Sequence, residues 1–132
     1  MKNLDALALF LKNNNNNRFE WGKWDCCLFA ADCVKALTGE DYAAVFRNRY
    51  SSAIGAKRVL LNEGYSSLKT ALIAVLGTEI PAKMAQRGDV VLIEQNGEFA
   101  AGIIWAGQVL CTGSNSLQRL SLSSVICAWR IS

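Results

Sequence analysis

The chain of 132 residues contains no histidine. That removes the side chain most often used as a general base near neutral pH and a frequent zinc ligand. Proline occurs once, at Pro81, where a helical first half gives way to a β second half. No apolar run approaches the ~20 residues that a membrane-spanning helix needs, so no membrane partner is expected. There is no C-x-x-C, and the five cysteines are an odd number without framework spacing. No cofactor and no metal is expected. Charge of one sign is scarce as well, since 14 basic residues against 11 acidic ones leave +3. The densest basic stretch, "FRNRYSSAIGAKR", reads as a solvated or ion-paired surface, and no nucleic-acid partner is expected.

Apolar residues are plentiful. They make up 52% of the chain, enough to fill the core of one domain spanning residues 1–132. The opening "MKNLDALALFLK" reads as an amphipathic helix with Leu4, Leu7, Ala8 and Leu11 on one face. Asp5 interrupts it, no small-residue cleavage site follows, and asparagines come next, so it is not read as a signal peptide. The expectation is a protein made in a reducing cytosol with free thiols. Cys33 and Cys127 are read as buried apolar side chains.

The element order reads helices first, strands afterwards. "NNNNN" at 13–17 reads as a loop. Asp25 is a good N-cap for a central helix that runs to about Leu37 and stops at Gly39. Two further helices cover about Ser52–Asn62 and Ser67–Leu76. From Gly88 onward, "DVVLIEQ", "EFAAGIIW", "QVLCTG", "LQRLSLS" and "VICAWRI" read as five short strands. Asn96–Gly97 is a strong hairpin turn, and hairpin spacing implies an antiparallel sheet. The expected class is α+β, with N-terminal helices packed on a small antiparallel β-sheet or half-barrel.

The chemistry centres on "FEWGKWDCCLFAADCVKAL", residues 19–37. Cys26 stands at the start of the central helix, where unsatisfied N–H groups and the helix dipole favour a thiolate. The residues alone leave two readings open, a reactive thiol or a core cysteine. Trp21 and Trp24 could wall a ligand site, but sealing the loop over the helix start is the preferred reading. Trp105 and Trp129 are expected in the sheet core. Asp32, inside the helix, needs a partner, and Arg47 or Arg49 is available. Gly88–Asp89 is read as the structural entry to the first strand.

A helix that opens D-C-x-x-F, followed by R-G-D-V-V and then a strand carrying G-I, resembles the NlpC-type branch of papain-like cysteine peptidases. Those enzymes cut peptide bonds in bacterial cell walls. The resemblance spans about residues 19–112 and places Cys26 at the nucleophile position. It puts Ala100 of "FAAGII" where the family's histidine belongs and Cys111 of "QVLCT" at the third polar position. Over nearly the whole chain, "WDCCLFAAD", "RYSSAIGAKRVL", "RGDVVLI", "GSNSLQRLSLSS" and "AWRI" resemble short phage and prophage proteins encoded among tail genes. Those proteins are regarded as NlpC-like and tend to lack the histidine.

Thiol catalysis of amide hydrolysis needs a base for the thiol and an acid for the leaving amine. Ala100 supplies neither. Asp25, Asp89 and Glu98 are carboxylates, poorly matched to both tasks near neutral pH. The resemblance therefore implies a degenerate, non-hydrolytic domain that serves as a tail structural or tail-assembly protein. Its partners would be other phage tail proteins, and its location the virion tail after assembly in the host cytoplasm. The alternatives are an active hydrolase of peptidoglycan peptides and a module that binds cell-wall peptides without cutting them.

Overall fold

The computed structural model describes residues 2–132. Four helices precede a six-stranded sheet. Helix α1 is Leu4–Asn14, α2 is Cys26–Thr38, α3 is Ala53–Asn62 and α4 is Leu68–Leu76. The caps explain where they start. The side chains of Asn3, Asp25, Ser52 and Ser67 accept from the N–H groups of Ala6, Leu28, Gly55 and Thr70, respectively. Each bond satisfies a donor that the first turn leaves free. Helix α2 ends where Gly39 turns left-handed at φ 86° and donates to the Lys35 carbonyl.

The strands are β1 Ile80–Pro81, β2 Val90–Gln95, β3 Glu98–Trp105, β4 Gln108–Thr112, β5 Leu117–Leu120 and β6 Val125–Trp129. Their order across the sheet is β1-β6-β2-β3-β4-β5. Every neighbouring pair is antiparallel. Two-residue turns close the hairpins, Asn96–Gly97 at φ 53° and 80°, and Ala106–Gly107 at φ 52° and 77°. Positive φ at both central positions matches the twist of paired strands.

Period-two alternation divides the core between the two faces of the sheet. On one face Val90, Leu92, Ala101, Ile103, Leu110 and Trp129 meet Leu7 and Leu11 of α1 and Phe29, Cys33 and Leu37 of α2. On the other, Val91, Ile93, Ala100, Ile104, Val109 and Cys111 form a second cluster. Ile80 and Leu120 reach that second face from the edge strands. Both faces of β2 are therefore packed, and "VVLI" is buried at all four positions.

Three expectations need correction. The sheet has six strands, not five. The extra one, β1, contains Pro81, which was expected to mark only the passage between the halves. Pro81 pairs with Cys127 at the sheet edge, a place that tolerates a residue without an N–H donor. Helix α1 takes in Asn13 and Asn14, read as loop. Asn14 remains helical while its side chain donates to the Phe10 carbonyl at 2.8 Å. Trp129 is fully buried as expected, but Trp105, at the end of β3, is only half-buried. Trp105 packs against the core cluster from the side, and the guanidinium of Arg87 lies 5.7 Å from its ring centroid, a cation–π contact on its outer part.

Candidate functional site

Helix α2 begins with Cys26 because Asp25 stops the chain from starting earlier. Asp25 is 1% exposed and its carboxylate is fully engaged. One oxygen accepts from Leu28 N–H at 3.0 Å. The other accepts from Gly22 N–H at 3.0 Å and from the Tyr50 hydroxyl at 2.6 Å. Burial and the Asp25 bond push the Tyr50 phenol well above its ordinary value. Gly22 has φ 82°, and a Cβ there would run into the Tyr50 carbonyl oxygen. The Gly22 carbonyl in turn accepts from Asn48 N–H at 2.9 Å. The loop before α2 is therefore clamped to the segment before α3, with Asp25 at the junction.

The two cysteines that follow are both half-buried, with their Sγ atoms 3.7 Å apart. The Cys26 thiol is held below its ordinary value, first because Cys27 donates to its sulfur, with the backbone N–H of Ala101 as a second donor. Burial and the charge of Asp25 oppose this. Cys27 is pushed well above its ordinary value by the same contact and by burial.

The structure brings the three sequence-predicted site residues together. Cys26 packs against the apolar cluster that contains both Ala100 and Cys111. Ala100 is buried on β3 opposite Ile93 of β2. Cys111, on β4, is pushed up to about 11 by burial and by the charge of Cys26, with Gln118 acting in the other direction. The apolar neighbours of Cys26 thus include the methyl of Ala100 and the thiol of Cys111.

The carboxylates considered as substitute acids are occupied elsewhere. Asp89 is fully buried and accepts from Gln86 N–H, Ile131 N–H and Arg130 Nε. It fastens the C-terminal strand to the entry of β2. Glu98 is exposed and paired with Lys57 at 3.3 Å. Asp32 meets Arg47 at 2.6 Å, as one of the two expected pairings has it. Arg47 also holds Asp41 at 3.0 Å. The guanidinium bond keeps the Asp41 carboxyl below its usual range, whereas burial raises that of Asp32 in spite of the same arginine. Arg49 pairs instead with Glu63 at 3.2 Å. The basic stretch is in large part an ion-paired surface.

Trp24 is buried against Phe10 and Phe29 and helps to seal the helix start. Trp21 stands edge-on to Phe19 and Tyr50 above it. Two cavities were not legible in the sequence. A polar trough of about 490 Å³ is lined by Phe19, Gln95, Asn96, Thr112, Ser114 and Gln118. It adjoins Cys111, which pairs with Gln118 across β4 and β5. An apolar cavity of about 100 Å³ lies between α2, α3 and α4, with Cys27, Leu28, Val34, Phe46, Leu60 and Leu72 in its wall. It is smaller than the ~150 Å³ cavity that admits benzene. Among the described residues no group of three or more acidic or thiol side chains could hold a metal ion. None of the described helices is long and apolar enough to cross a membrane.

The fold and the site define an α+β protein whose central helix is led by a cysteine pair and packed on an antiparallel sheet. A family model described as a domain of unknown function, DUF6950, matches residues 2–131, and the protein belongs to that family. No curated protein and no solved structure matches the chain.

Proposed function

We propose that this protein is a degenerate NlpC-like domain that has kept the nucleophile position without the means of turnover, and that it serves as a phage tail structural or tail-assembly protein. The observation that carries the reading is the wall opposite Cys26. The nucleophile-position cysteine, Ala100 and Cys111 share one cluster, as the peptidase resemblance requires of its three site positions. The chain has no histidine, and the residue at the histidine position, Ala100, cannot take a proton from a thiol and return it to an amine. The arrangement without the base makes sense if its residues set helix entry and packing. The tail role rests on the whole-chain resemblance and on the capacity of such a domain to act by docking on its neighbours.

A second reading is favoured by the polar trough beside Cys111. Amide and hydroxyl side chains with one aromatic wall suit the amide groups of a cell-wall peptide, which the domain would hold without cutting.

The test is to locate the protein in purified virions by mass spectrometry of separated tails, and to complement a deletion with Cys26→Ala. The expected result is tail-associated protein and infectivity close to wild type. Stable, fully incorporated Cys26→Ala protein in non-infectious particles would mean that the thiol has a chemical role. Saturable muropeptide binding by a protein absent from tails would favour the second reading.

A further inference from the structure

Adjacent residues of a helix point about 100° apart and do not normally face each other. Cys26 and Cys27 are adjacent residues in the first turn of α2, yet their sulfurs converge to 3.7 Å. Both residues are half-buried. We propose that Cys26 and Cys27 form a vicinal dithiol site for a single thiophilic centre that takes two sulfur ligands, with trivalent organic arsenic as the type.

The separation supports bridging by a third atom. Two thiolates bound at about 2.3 Å to one pyramidal trivalent centre, with an angle near ~95–100° between them, lie roughly 3.4–3.5 Å apart. The sulfurs stand only a few tenths of an ångström beyond that spacing, a gap that side-chain rotation closes without moving the backbone. Direct oxidation is less well suited. A disulfide needs Cα atoms about 4.4–6.8 Å apart, whereas neighbours across a trans peptide stand at about 3.8 Å. Closing one here would distort the helix start that Asp25 caps. The number of ligands narrows the class further. The Asp25 carboxylate is already committed to three hydrogen bonds, and no cluster of three candidate ligands exists among the described residues. A structural zinc ion wants four protein ligands and would not be satisfied. A monosubstituted trivalent arsenical needs two.

The chemistry balances without a redox step. An arsonous acid, R–As(OH)₂, exchanges each hydroxyl for one thiol. Each S–H bond and each As–O bond breaks, each As–S bond forms, and two waters leave with the two protons. Arsenic stays trivalent throughout. Either thiol can attack first, with the other closing the ring.

The probe is phenylarsonous acid, applied to the full, reduced chain with an excess of a monothiol. Native mass spectrometry should show one phenylarsenic per chain, retained against the monothiol and removed by a 1,2-dithiol. Cys26→Ser and Cys27→Ser should each abolish retention, with circular dichroism confirming that they fold. Cys33→Ser, Cys111→Ser and Cys127→Ser should keep it. Because a serine variant could fail to fold, the adduct is also mapped on a folded Cys33→Ser chain, where it should lie in the peptide 24–35. Absence of monothiol-resistant binding, retention in a folded Cys26→Ser or Cys27→Ser chain, or an adduct on Cys111 would overturn the proposal.

Discussion

Replacing Tyr50 by Phe removes one oxygen from behind the start of α2. That oxygen donates to a carboxylate at 2.6 Å, and the carboxylate belongs to a residue only 1% exposed. A hydrogen bond to a charged group contributes about 1.5–3 kcal/mol. Asp25 keeps its bonds from the N–H groups of Gly22 and Leu28, so it is not orphaned and the lower half of that range applies. Phe fills nearly the same volume, so no cavity term is added. The expected loss is about 1.5–2 kcal/mol, which for a domain of this size lowers Tm by roughly 5–7 °C. Urea unfolding should show a lower midpoint with unchanged m. A double-mutant cycle with Asp25→Asn isolates the pair, since removing the hydroxyl should cost much less once the charge is gone. If Tyr50→Phe lies within about 0.5 kcal/mol of wild type, or if the two substitutions are simply additive, the claim that this contact anchors the helix start is wrong.

Gly22→Ala should cost more than about 2 kcal/mol. A left-handed backbone position alone costs an alanine about 1–2 kcal/mol, and the new Cβ meets the Tyr50 carbonyl; a urea midpoint equal to wild type would contradict this. Stability should fall as pH rises from about 9 toward 11. The buried Cys111 and Cys127 thiols are pushed up from 9.0 to about 11, so the unfolded chain loses protons across that window that the folded chain keeps. Their contribution is whole below the unfolded value and is lost as pH rises through the folded one. Cys27 and Cys33 are shifted the same way, and Cys26 offsets part of the loss. Urea midpoints that stay flat across the window would refute the assignment. Ala100→His should overpack the second cluster at a cost of about 1–3 kcal/mol. It should also add a titration near neutral pH to the alkylation rate of Cys26, and an unchanged rate profile would show that Ala100 does not face the thiol.

The helix starts were legible because their caps are local. Asp25, Ser52 and Ser67 each bond within three residues, and Gly39 lies at the stop that its left-handed turn requires. The hairpin at Asn96–Gly97 was legible for the same reason. Strand β1 was not, since two residues carry no periodicity and one of them is proline. The partner of Asp32 was narrowed to two arginines by charge alone. That Arg47 also holds Asp41 depends on a turn with no sequence signature. The Asp25–Tyr50 bond joins residues 25 positions apart, and nothing in either segment announces it. The meeting of Cys26, Ala100 and Cys111 followed from a family resemblance, not from pattern. The convergence of Cys26 and Cys27 is a matter of side-chain rotamers, which the sequence does not set.

The central claim is that the domain keeps a nucleophile position but does not turn over. Its most direct test is an end-point assay of muropeptides incubated with the wild-type protein beside Cys26→Ala, reading newly released amino groups by chromatography. The account predicts traces that are the same for both proteins and for buffer. Release by the wild type that disappears in a folded Cys26→Ala protein would contradict it.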